Sequence, residues 1–141
     1  GTISEEKQQL MDITRESLLR GIAEAKPGNY VSDIGYAIQS FVEQYGYSVV
    51  RELVGHGIGT KLHEEPQVPN YGEPKQGYRL REGMCIAIEP MINMGVKEIK
   101  TDADGWTIRT LDGEASAHFE HTIAITANGP VILSEGEKVL G

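Results

Sequence analysis

Three side chains that can bind a metal ion stand in sequence contexts that favour a site: His56, Glu89 and Glu120. His56 lies among glycines at positions 55, 57 and 59, a segment that fits a helix or a central strand only at a conformational cost. Glu89 follows four apolar residues, and a carboxylate buried at a strand end needs a metal or another cation beside it. Imidazole and carboxylate together suit Mn, Fe, Co or Zn better than Ca or Mg. Two alternatives stay open, a glycine-rich turn with an exposed His56 and a Glu89 side chain turned to solvent.

Glu120 lies in a segment where polar and apolar residues alternate. In a strand, alternation divides such a segment between two faces. One face carries His118, Glu120 and Thr122, and the other carries Phe119, His121 and Ile123. The polar face is either the solvent side of an edge strand or the lining of a site.

A second histidine, His63, follows His56 along the chain and precedes Glu64 and Glu65. Imidazole both ligates metals and donates protons, so His63 is a further candidate for a role in chemistry. The two glutamates either form a ligand cluster with His63 or are polar residues of a loop, and we favour the loop. Cys85 is interpreted as a small core residue rather than as a nucleophile.

Two helices are predicted for the first third of the chain, because apolar residues recur there at helical spacing. The first helix runs from an N-cap at Ser4 to a Lys-Pro-Gly break at residues 26–28. The second starts near Ser32 and Asp33, and Gly46 is placed as its C′ residue.

Strands and turns are predicted for the rest of the chain. Strands are predicted over residues 48–54, 84–88, 96–100, 106–110, 119–125 and 131–133. A long loop is predicted for residues 55–77, and hairpin turns for residues 102–105 and 128–129. The turn at 102–105 fails the calcium-loop pattern, because Lys100 and Leu111 would fill its first and twelfth positions. Helices followed by antiparallel strands predict an α+β fold.

Composition narrows the class of protein. The 141 residues suit one domain, and the net charge of -8 argues against a nucleic-acid partner. A single cysteine rules out an intrachain disulfide, which favours a reducing cytosol. No apolar run approaches the roughly 18 residues that a membrane span needs, so no membrane partner is expected.

Five motifs together resemble the type I methionine aminopeptidases. They are Gly-His-Gly-Ile-Gly (55–59), Leu-His-Glu-Glu-Pro (62–66), Ile-Glu-Pro (88–90), Asp-Gly-Trp-Thr (104–107) and Phe-Glu-His-Thr (119–122). The resemblance implies a pita-bread fold. Residues 1–141 would form its C-terminal half, two helices and then an antiparallel sheet, with the upstream half absent.

The resemblance also implies roles for individual residues. His56 and Glu89 would ligate one metal, and Glu120 would bridge two. His63 would hydrogen-bond the scissile carbonyl and stabilise the oxyanion, and Trp106 would form part of the methionine pocket. Glu89 would also move a proton to the leaving amine.

Two divalent transition metal ions (Mn, Fe, Co or Zn) sharing a hydroxide are implied by the same resemblance. The family's two further ligands are upstream aspartates, and Asp12 and Asp33 lie in helical patterns that do not fit those positions. We therefore expect the chain to carry three of five ligands, to hold at most one metal well, and to be inactive alone. His118 also departs from the Gln that many relatives carry there.

The implied activity is removal of the initiator methionine from nascent proteins in the cytoplasm. The expected partners are peptides with an N-terminal methionine and either the missing N-terminal half or a second copy of the chain. Two alternatives are a non-catalytic binding module with the pita-bread fold, and a hydrolase of the prolidase or aminopeptidase P type.

Overall fold

The computed structural model describes residues 5–59, 64–94, 99–101, 108–110 and 116–134. Two helices open the chain, α1 (Glu5–Ala23) and α2 (Val31–Glu43), as the apolar periodicity predicts. Glu5 and Glu6 occupy the first turn of α1, where the helix dipole favours negative charge. The predicted N-cap at Ser4 lies outside the described residues.

The second helix begins slightly earlier than predicted. It starts at Val31, and Asp33 Oδ2 accepts a 2.7 Å hydrogen bond from the backbone N–H of Tyr30. The helix ends at Glu43, and Gly46, with a φ of 78°, then supplies the left-handed residue of the turn that follows.

Ten strands are present in the described part of the chain. They are β1 (Ser48–Val49), β2 (Gly55–Ile58), β3 (Glu64–Val68), β4 (Cys85–Ile88), β5 (Met91–Asn93), β6 (Ile99–Thr101), β7 (Ile108–Thr110), β8 (Ser116–His118), β9 (His121–Thr126) and β10 (Gly129–Ile132).

Five of these strands form an antiparallel sheet in the order β10-β9-β4-β2-β3. A second antiparallel sheet has the order β1-β5-β8, and β6 pairs with β7. The helices pack on each other; α1 also contacts β4, β5 and β8, and α2 contacts β1 and β3. Two helices followed by antiparallel sheets confirm the predicted α+β fold.

The five-stranded sheet has one strongly apolar face. Ile86 and Ile88 of β4 and Ile123 and Ile125 of β9 are at most 1% exposed, and they belong to the same buried cluster as Leu18 of α1. Burying an aliphatic side chain of this size stabilises a fold by roughly 1.5–3 kcal/mol relative to leaving it exposed. Because side chains alternate along a strand, the residues between these isoleucines point to the other face.

The predicted loop over residues 55–77 is wrong in its first half. Residues 55–58 form β2 and residues 64–68 form β3, so Glu64 and Glu65 lie in a strand rather than in a loop. Pairing with β4 supplies the backbone hydrogen bonds of β2. The glycine-rich sequence of this segment does not by itself indicate a strand. The predicted strand at 48–54 is also too long, because β1 ends at Val49 and the chain turns at residues 51–52.

The remaining strand predictions are confirmed with shifted bounds. The paired strands predicted around residues 102–105 are β6 and β7, although the turn itself lies outside the described residues. The predicted hairpin at 128–129 joins β9 to β10, with Gly129 at a φ of 111°. The strand predicted over residues 119–125 is β9, which begins later, at His121, because residues 119–120 form the bend between β8 and β9. Strands β5 and β8 were not predicted.

Candidate active site

A bent two-stranded ribbon carries both candidate carboxylates. The ladder between β4 and β9 ends at the pair Ile88–His121, and the ladder between β5 and β8 begins at the pair Met91–His118. The bend holds two residues on each side of the ribbon, residues 89–90 on one side and 119–120 on the other. Glu89 therefore lies opposite Glu120 in the backbone register. The bend is closed by a 3.2 Å hydrogen bond from the Phe119 N–H to the Pro90 carbonyl.

Burial alternates as predicted along the side of this ribbon that is formed by β8 and β9. Phe119, His121 and Ile123 are buried, whereas His118, Glu120 and Thr122 are half-buried. Glu120 and Thr122 therefore lie on the face opposite the apolar core. His118 lies beyond the bend, where it pairs with Met91 in the three-stranded sheet.

The glycines of β2 bring His56 beside this ribbon. His56 pairs with Ala87 of β4, and Ala87 pairs in turn with Thr122 of β9, so the three residues share one face of the sheet. A Cβ at Gly55 would overlap the Ala87 carbonyl oxygen and would lie 3.2 Å from Val68 Cβ. Glycine is thus required where β2 passes between β3 and β4. The conformational cost of placing glycine in a central strand is offset by the close strand packing that it allows.

His56 and Glu89 are brought together across the sheet. His56 Nε2 lies 3.8 Å from Glu89 Oε2, and the two side chains are 18% and 17% exposed. The other ring nitrogen, Nδ1, lies 3.1 Å from the Gly57 carbonyl oxygen. A carbonyl can only accept, so Nδ1 donates in this contact, and Nε2 is the ring nitrogen that faces Glu89.

These contacts fit a divalent transition metal. Metal-binding histidines commonly donate the N–H of their second nitrogen to a backbone carbonyl, as His56 does to Gly57. The 3.8 Å separation of His56 Nε2 and Glu89 Oε2 is too long for a hydrogen bond. It is near the separation of about 3.4 Å expected for two atoms that each bind one tetrahedral metal at about 2.1 Å.

The third predicted ligand, Glu120, is placed by the backbone rather than by a side-chain contact. Within the described part of the chain, no group of three His, Cys, Asp or Glu side chains is arranged to hold a metal ion. The structure brings His56 and Glu89 together and sets Glu120 opposite Glu89. The full ligand set of His56, Glu89 and Glu120 stays a prediction.

Two predicted site residues, His63 and Trp106, lie outside the described residues. Their roles at the scissile carbonyl and in the methionine pocket stay predictions. Cys85, interpreted as a core residue, is half-buried at the start of β4. It lies two residues from Ala87, so it shares the face that carries His56.

Sequence reasoning missed Asn70, a fully buried amide near the site. Asn70 is 0% exposed, and its Nδ2 donates to the Leu53 carbonyl at 3.1 Å and reaches the Glu89 carbonyl at 3.5 Å. Nothing local marks this residue, because an asparagine after a proline reads as an ordinary loop residue.

A bent antiparallel ribbon thus sets two carboxylates opposite each other, with a histidine facing one of them. The model of metallopeptidase family M24 matches residues 1–127, and the chain belongs to this family.

Within this family, the chain is more similar to methionine aminopeptidases than to a prolidase. The chain is 55% identical over 134 residues to methionine aminopeptidase 1 of Bacillus subtilis (strain 168), covering 95% of this chain and 54% of that protein. The structure resembles that of a methionine aminopeptidase from Thermotoga maritima with a TM-score of 0.91 and 48% identity, over 96% of this chain and 55% of that one. A prolidase from Pyrococcus horikoshii OT3 is less similar, with a TM-score of 0.72 and 29% identity, over 100% of this chain and 35% of that one.

The chain spans about half the length of the curated relatives that it matches. Among the described residues, neither helix has the length and apolar character required to cross a bilayer.

Proposed function

We propose that this chain contributes the C-terminal half, residues 1–141, of a metal-dependent aminopeptidase that removes N-terminal methionine from nascent proteins in the cytoplasm. The observation that carries the proposal is the position of Glu89, opposite Glu120 in the bent ribbon and 3.8 Å from His56. The identity to methionine aminopeptidases, 55% for the Bacillus subtilis relative against 29% for the prolidase, favours methionine over proline specificity.

His56 Nε2 and the carboxylates of Glu89 and Glu120 would hold the metal, which supplies Lewis acidity and an activated water when bound. Glu120 would complete the set, because its backbone lies opposite that of Glu89. The donors would be one nitrogen and carboxylate oxygens, a combination that suits Mn, Fe, Co or Zn.

The remaining roles belong to single residues. Glu89 would accept a proton from the attacking water and pass that proton to the departing amine. His63 donates a hydrogen bond to the scissile carbonyl oxygen as negative charge develops there. Trp106 forms part of the apolar wall that accepts the methionine side chain.

The proposal includes a requirement for more polypeptide than this chain. The relatives are about twice as long, and three ligands are fewer than a two-metal centre needs. The partner is a polypeptide equivalent to the unmatched part of the relatives; self-association is the second candidate. The net charge of -8 gives no support for a nucleic-acid partner.

Peptide profiling tests the proposed function. The chain is mixed with the unmatched segment of the Bacillus subtilis relative and Mn²⁺, and release of the first residue is followed for Met-Ala-Ser and Ala-Pro-Ser peptides. Cleavage of the methionine peptide alone supports the proposal, and cleavage beside proline indicates a prolidase-type enzyme. Peptide binding without cleavage, together with an absence of bound metal, indicates a non-catalytic binding module.

A further inference from the structure

A buried amide joins the two segments that carry His56 and Glu89. Asn70 lies two residues after β3, and its side chain is fully buried. One contact of its Nδ2 is the Leu53 carbonyl, in the segment that leads into β2, at 3.1 Å. The other is the carbonyl of Glu89 itself, at 3.5 Å. We propose that Asn70 is a positioning residue, which fixes the backbone of Glu89 relative to the strand that carries His56.

The orientation of the amide follows from its surroundings. Two carbonyl oxygens face Nδ2, and only the NH2 group of asparagine can donate to them. A flipped amide would set a third oxygen against these two. The Asn70 Oδ1 atom is buried and has no hydrogen-bond partner among the described residues. In this orientation Nδ2 keeps both of its contacts with carbonyl oxygens, and Oδ1 is left without a partner among the described residues.

The segment that carries Asn70 is itself held against α2. The Gly72 N–H donates to Gln39 Oε1 at 3.0 Å, and the Lys75 N–H donates to Asp33 Oδ1 at 2.9 Å. A Cβ at Gly35 of α2 would overlap the backbone of Tyr71, so the helix and this segment are in direct contact next to Asn70. Asn70 therefore lies in a segment that is fixed against α2, and its side chain contacts the backbones of Leu53 and Glu89.

The consequence for chemistry is that Asn70 sets the spacing of the two candidate ligands without touching a metal or a substrate. His56 sits on β2, three residues after Leu53, and Glu89 sits where β4 enters the bend. Without the amide, these backbones remain joined on either side of Glu89, by the β2–β4 ladder, which ends at the pair His56–Ala87, and by the β1–β5 ladder with the 2.8 Å bond from the Val50 N–H to the Met91 carbonyl, but the contact with the Glu89 carbonyl itself is lost. The 3.8 Å separation between His56 Nε2 and Glu89 Oε2 would then widen. This inference rests on the proposed metal site.

The test replaces Asn70 with a residue of the same shape. Asn70→Leu keeps the branched outline in a fully buried position and removes the donor, so packing is retained. Asn70→Ala is the second variant. Asn93→Leu is the matched control, because Asn93 is also 0% exposed but lies in β5, where its Oδ1 accepts a 2.8 Å hydrogen bond from Ser48 Oγ of β1.

Co²⁺ binding to the 141-residue chain is measured by visible absorption and by calorimetry well below the melting temperature. Loss of a residue that orients a ligand typically weakens metal binding by about 10–100-fold, and we expect a weakening of this size for both Asn70 variants. The Asn93→Leu variant should bind within about threefold of the wild type even where its melting temperature falls. Binding by Asn70→Leu within that same threefold range would overturn the inference.

A wild-type chain that binds no Co²⁺ would contradict the proposed metal site, and the role of Asn70 is then judged without metal. Crystal structures of the metal-free wild type and Asn70→Leu are compared at His56 and Glu89. The inference predicts that the Nε2–Oε2 separation, 3.8 Å here, lengthens in the variant but not in Asn93→Leu. An unchanged separation in Asn70→Leu would refute the positioning role even with the proposed function already lost.

Discussion

Glu89 lies directly opposite Glu120 at the point where both chains of the ribbon pass from one sheet to the other. The register is the same on both sides of the bend, so the opposition does not depend on a bulge or a slip. Two like charges placed opposite each other in an antiparallel ribbon destabilise it. The arrangement therefore favours a bound cation, and His56 Nε2 lies on the same side, 3.8 Å from Glu89 Oε2.

The first prediction concerns this carboxylate pair. Glu120→Gln should stabilise the metal-free chain by about 0.2–1 kcal/mol, because it removes a like-charge opposition between cross-strand neighbours. The same change should weaken the stabilisation that Mn²⁺ provides. Urea denaturation with EDTA and then with Mn²⁺ measures both quantities. Glu52→Gln, at an exposed turn, is the control and should change neither. A destabilised metal-free Glu120→Gln chain with normal Mn²⁺ stabilisation would contradict the paired-carboxylate site.

The second prediction separates the imidazoles of the chain. At a free Co²⁺ concentration of 100 times the dissociation constant, metal binding to the folded state should raise the free energy of unfolding by about 2.7 kcal/mol. His56→Ala should lose this stabilisation. His121→Asn should keep it, because His121 is buried on the apolar face and its Nδ1 lies 3.3 Å from Ser134 Oγ. Equal losses in the two variants would mean that the metal does not bind at His56.

The third prediction concerns Gly55. A methyl group there would meet the Ala87 carbonyl oxygen, which is backbone and cannot move aside alone. Overpacking of this kind typically costs about 1–3 kcal/mol, and Gly55→Ala should lower the free energy of unfolding by that amount. Gly46→Asn is the control, since nothing lies within 4 Å of a Cβ at Gly46 and asparagine tolerates a left-handed φ. A Gly55→Ala chain as stable as the wild type would show that β2 lies further from β4.

The fourth prediction concerns His63, whose role at the carbonyl comes from the resemblance. In an enzyme complete with its partner polypeptide, His63→Ala should lower kcat by roughly 10²–10³, as loss of an oxyanion donor does. Metal content, measured by mass spectrometry, should stay at the wild-type level. A fall in metal content on this substitution would make His63 a ligand and would overturn the division of roles between His63 and His56.

Local sequence patterns predicted much of this fold, because both helices and the alternation through Glu120 depend on neighbouring residues. The strand at Gly55–Ile58 was not predicted, because its support comes from Ala87 and Val68, which are distant in sequence. The contact between Asn70 and the Glu89 carbonyl was also invisible, since a side chain meeting a remote backbone leaves no periodic signal. Motif spacing named the candidate ligands, but only strand register shows that Glu89 and Glu120 are opposed.

The last prediction is that the 141-residue chain alone does not hydrolyse Met-Ala peptides at a useful rate. Three ligands can hold one metal, whereas a shared hydroxide needs two metals at a fixed separation. The chain also spans only about half the length of its relatives, and its edge strand β10 exposes Val131 and Ile132 by 47% and 43%. An exposed apolar edge of this kind favours association with another chain.

The purified chain is assayed with Mn²⁺, Co²⁺ or Fe²⁺, alone and then with the unmatched segment of the Bacillus subtilis relative, while sedimentation reports its size. Activity should appear only in the mixture and should be lost in His56→Ala. Strong activity of the isolated monomer, also lost in His56→Ala so that a contaminating host enzyme is excluded, would show that this chain carries a sufficient site.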